Sequence, residues 1–86
     1  MASVAEVKAA IDAALSHVQD GQAAVRAASD RLSEAQQTLA VAVEGSGHDC
    51  VSGARAALSQ AAAELDDALS ATHQAVEQAQ SYAAAL

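Results

Sequence analysis

Three histidines, one cysteine and eleven carboxylates are the side chains of this chain that can do more than pack. A dinuclear iron or manganese site in a helical bundle takes Glu-x-x-His from inward-facing helix turns. The residues three before His17, His48 and His73 are Ala14, Gly45 and Ser70, so that ligand pattern is missing. His48, Asp49 and Cys50 are contiguous. An imidazole, a carboxylate and a thiol bind a metal only where further ligands converge, and make a nucleophile only inside a pocket. Two helices meeting at a turn provide neither, so the trio reads as a solvated turn cluster. Cys50 is then a half-buried edge residue, or alternatively a reactive or dimer-bridging thiol. His73 and Glu77 stand four apart, the spacing of an ordinary surface pair on a helix. The four glycines form no phosphate-cradling loop. The expectation is a chain with no catalytic residue, no metal ligand, no cofactor and no evident small-molecule substrate.

The elements that would have to position such residues follow from composition. Of 86 residues, 26 are alanine, one is aromatic (Tyr82) and none is proline. A β-sandwich or barrel needs aromatic, β-branched and turn residues at short intervals. A disulfide scaffold needs paired cysteines. Charge-driven nucleic-acid binding needs Lys/Arg clusters, whereas this chain has four basic residues and a net charge of −7. No apolar run is long enough to cross a bilayer, and an acidic surface does not favour anionic membranes. After Lys8 the apolar stretch Ala9-Ala10-Ile11 ends at Asp12, so no signal-peptide core develops. The expected location is cytoplasmic, or external by a route that reads no signal peptide. The large aliphatics are eight Val, seven Leu and one Ile, a thin core for a domain of this size.

Seven-residue spacing organises these aliphatics. Val4, Ile11, Val18, Val25, Leu32 and Leu39 occupy heptad position a, and Val7, Ala14, Gly21, Ala28, Ala35 and Ala42 occupy d. The second half repeats the pattern with Val51, Leu58, Leu65, Thr72, Ala79 and Leu86 at a, and Ala54, Ala61, Ala68, Ala75 and Tyr82 at d. Gly45, Ser46 and Gly47 punctuate the middle. Gly45 suits a helix C-terminus, and Ser46 with Asp49, like Ser3 with Glu6, suits a capping box. The chain therefore reads as one all-α domain, residues 1–86, with helices over about 3–44 and 47–84 and a turn at about 45–46. A turn this short makes the helices a long antiparallel hairpin.

If a faces d, partners are positions whose numbers add to 93. Large residues Val18, Val25, Leu32, Leu39, Val51, Leu58 and Leu65 would then meet the small residues Ala75, Ala68, Ala61, Ala54, Ala42, Ala35 and Ala28, with Gly21 against Thr72. The e positions Leu15, Val43, Leu69 and Val76 would lie outside as an interface stripe beside an alanine-rich g stripe. Arg31 and Glu64 would face each other as an exposed pair. Covering such stripes is the work of a homodimer closing into a four-helix bundle, or of a partner helical protein.

A small acidic chain of two long helices around the turn Gly45-Ser46-Gly47-His48 resembles the WXG100/ESAT-6-like proteins of actinobacteria. That family carries Trp-x-Gly at its turn and Tyr-x-x-x-Asp/Glu near its end; here there is no Trp, and Tyr82 is followed by Ala83, Ala84, Ala85 and Leu86. The resemblance implies a helical hairpin linked to type VII-like secretion or to toxin-associated systems. The functional expectation is a non-enzymatic interaction module. The alternative is a metal-binding protein or enzyme built on a four-helix bundle.

Overall fold

The computed structural model describes residues 2–44 and 49–86, with the backbone alone for Asp49 and Cys50. The turn residues Gly45, Ser46, Gly47 and His48, on which the expected turn and the His48-Asp49-Cys50 cluster depend, lie outside the described residues. Helix α1 spans Val4–Ala42 and helix α2 spans Asp49–Ala85. The hairpin measures 64 × 17 × 15 Å, the length set by about 40 residues rising roughly 1.5 Å each.

The start of α1 follows local chemistry. Ser3 is extended at φ −72° and ψ 164°, and its Oγ accepts the Glu6 amide at 3.1 Å. Glu6 adds a negative charge in the first turn, where the helix dipole favours it. At the far end the Val43 amide keeps the helical bond to Leu39 O at 3.1 Å, and the Glu44 amide makes a tighter turn onto Val41 O at 3.3 Å. Thus α1 stops at Ala42, two residues short of the expected boundary, and Val43 is its cap.

The helices pack on a different seam from the one the heptads suggest. Half-buried positions on α1 are Ile11, Val18, Val25, Leu32 and Leu39 at a and Leu15, Ser29, Gln36 and Val43 at e, with Val7 and Ala28 at d and Ala40 at b. On α2 they are Val51, Leu58, Leu65, Thr72 and Ala79 at a and Ala62, Leu69, Val76 and Ala83 at e, with Ala61 at d. Of the ten half-buried residues of α2, nine pair with a buried or half-buried residue of α1 when numbers add to 94. The pairing is therefore one residue out from the expected 93, and a faces e.

Four expected small partners change place as a result. Gly21, Ala35, Ala68 and Ala75 are exposed, and of the small facing set only Ala28 and Ala61 are half-buried. Leu15, Val43, Leu69 and Val76, expected outside as an interface, are half-buried in the seam. Tyr82, expected against Ile11, is 57% exposed. The reason is burial of carbon. Turning each helix by about 50° exchanges d for e at the contact. That hides Leu15, Leu69 and Val76 in place of alanines, and each extra buried methylene contributes about 0.8 kcal/mol. Gly21 accordingly meets nothing within 4 Å where a Cβ would stand, so it makes no close approach to Thr72.

Candidate functional site

Among the described residues no hydrophobic side chain is fully buried, and the one buried residue is Gln22, 7% exposed. Gln22 occupies an e position, and Thr72 shares its level on α2. The Gln22 Nε2 amide donates to Thr72 Oγ1 at 3.1 Å and lies 3.3 Å from His73 Nδ1. With its proton on Nε2, the His73 ring accepts the second amide hydrogen. Thr72 Oγ1 in turn donates to the Leu69 carbonyl at 2.6 Å. One glutamine thus ties the middle of α1 to two successive residues of α2. A second tie runs from Gln36 Nε2 to Ser59 Oγ at 2.9 Å. Neutral bonds of this kind stabilise by about 0.5–1.5 kcal/mol each, and they penalise any slip that leaves a buried amide unpaired.

The heptad pattern places Thr72 at a, inside the seam, and Gln22 at e, outside it. The signal was present in the e series Leu15, Gln22, Ser29, Gln36, Val43, which mixes apolar and polar residues. Only a register that brings e inside gives that series a meaning.

The two described histidines do not converge. His17 and His73 are exposed, on opposite flanks of the seam, and His48 lies outside the described residues. Among the described residues no group of three or more His, Cys, Asp or Glu is placed to hold a metal ion. Among the described residues a shallow depression is lined by Gln37, Thr38, Val41 and Ala42, with Val41 71% exposed.

The larger feature is a face. With a and e in the seam, positions d and g of both helices fall on one side of the antiparallel pair. Ala10, Ala14, Gly21, Ala24 and Ala35 of α1 lie there with Ala57, Ala68, Ala71 and Ala75 of α2, all exposed. Of the eleven Asp and Glu residues only Glu64 is on it, and of the four Lys and Arg only Arg31. The carboxylates of Asp12, Asp20, Asp30, Glu34, Asp66, Asp67 and Glu77 fall on b, c and f, away from it. Arg31 and Glu64 form no ion pair with each other; the Glu64 carboxylate accepts from Gln60 Nε2 at 3.2 Å.

These features define a long antiparallel helical hairpin with one smooth, nearly uncharged face. No family model matches the chain, and no curated protein or solved structure matches it. No helix of the described residues is long and apolar enough to cross a membrane.

Proposed function

We propose that the chain is a non-enzymatic protein-interaction module that self-associates through its d/g face into a four-helix bundle. The supporting observation is surface area. The hairpin exposes 6092 Å², whereas a compact monomer of 8.5 kDa exposes about 4,700 Å². The surplus accompanies a seam in which, among the described residues, no apolar side chain is fully covered. A helix pair so thinly packed gains stability by burying a second face.

The resemblance to WXG100/ESAT-6-like proteins, small helical hairpins, is in keeping with an interaction module. It also supplies a setting: release by a signal-peptide-independent route, beside type VII-like secretion or toxin-associated proteins. Sedimentation equilibrium tests the association. A mass near twice 8.5 kDa that Ala24→Glu/Ala71→Glu returns to one chain, with helicity kept, is the expected result. A single-chain mass for the unaltered protein up to about millimolar concentration overturns the reading, because a working dimer dissociates far below that.

A further inference from the structure

The self-association reading leaves open how two hairpins lie on each other, and the two charges on the d/g face decide it. Resting on that reading, we propose that a second copy covers the face with both turn ends together, so that Arg31 of each hairpin pairs with Glu64 of the other.

Arg31 and Glu64 are both g residues, both exposed, and their numbers add to 95, within one residue of the seam register. They therefore stand at one level along the hairpin, one on each helix. A two-fold axis parallel to the helices lays α1 of one copy over α2 of the other and preserves level. Arg31 then lands on Glu64 of the second copy, and Glu64 on its Arg31, which gives two ion pairs by symmetry. The other g residues match in the same sense: Ala24 falls over Ala71, His17 over Gln78 and Ala10 over Ala85.

The opposed arrangement, with the axis across the helices, lays α1 over a reversed α1. Arg31 then falls near Ala14 of the second copy, and both charges are covered without partners. Covering an unpaired charge is strongly unfavourable, so the charges select the parallel form. Size is consistent: a face of 64 by 17 Å covers about 1,100 Å² per copy, above the roughly 800 Å² per partner of a standard stable interface. Small side chains let the two layers approach closely enough for the pairs to be desolvated.

Two measurements test this. Reversing one charge, Arg31→Glu or Glu64→Arg, opposes like charges twice per dimer and should weaken the dimer at least about tenfold, while Arg31→Glu/Glu64→Arg should restore it to within about threefold. Spin labels on Ala9→Cys, in a Cys50→Ser background, should report a separation below about 35 Å with turn ends together and above about 45 Å when opposed. A dimer with the long distance, or one indifferent to charge reversal, overturns this arrangement while leaving self-association standing. A chain that never dimerises overturns both.

Discussion

On one flank of the helix seam, Gln22 reaches Thr72 and His73, and Gln36 reaches Ser59. On the other flank stand Ala24, Ala35, Ala57 and Ala71, all exposed, with no side-chain hydrogen bond or ion pair across the helices among the described residues. The first flank is satisfied within the chain: its donors have acceptors at defined levels, so it specifies which residue faces which. The second has surface to cover and almost no polar group to direct the covering. Hydrogen bonds have direction and spacing, so they set register. Alanine faces have neither, and what they supply is closeness. Division of labour between specification and association explains how a helix pair with no fully buried aliphatic among its described residues can hold one pairing and still have a face to offer.

The comparison breaks most sharply at the aliphatic seam. Leu69→Ala should lower unfolding free energy by about 2 kcal/mol, the low end for buried leucine because the site is half-buried. Urea denaturation of the unaltered and altered chains measures it. If d rather than e faced inward, Leu69 would be a surface residue and the loss would be a few tenths of a kcal/mol. The polar tie responds in the opposite sense. Gln22→Leu with Thr72→Val replaces a hydrogen-bonded layer by carbon and should raise stability by about 1–2 kcal/mol, since paired polar groups exchanged together for apolar ones are neutral or better. A lower Tm would show that the network contributes net stability as well as register.

On the smooth flank, Gly21→Ala should stabilise by about 1 kcal/mol, because α1 gains helix propensity and the added methyl meets open space. A fall in Tm would place Gly21 against something the free hairpin does not contain. The smallest effect belongs to the end of the rod. Ser3→Ala removes the acceptor for the Glu6 amide and should cost about 0.5–1 kcal/mol. Faster amide exchange confined to the first turn of α1 is its signature.

Much of the fold was legible because helix formation is local. Twenty-six alanines, no proline, Ser3 three residues before Glu6 and glycines in the middle all act within a few residues, so two long helices and an antiparallel return could be read directly. The seam was legible only in part. Val18, Val25, Leu32, Leu39, Val51, Leu58 and Leu65 are half-buried, since residues at a take part whichever neighbour joins them. The choice between d and e was not local. Volume matching favoured Ala68 and Ala75, but Leu69 and Val76 one residue further on carried more carbon to bury. Gln22 was overlooked for the same reason, because a polar residue has meaning in a seam only once its cross-helix partner is known.

The sequence by itself determined the helices, the Ser3 cap of α1, the antiparallel return and the segregation of carboxylates to b, c and f. Each of these depends on interactions within a turn or two of helix, or on the 3.6-residue period. Tertiary structure alone decided the rotation of the helices about their axes, the one-residue shift in pairing and therefore which stripe is left open. Those follow from the sum of buried carbon and satisfied amides over the whole 64 Å contact, a quantity that no single heptad contains.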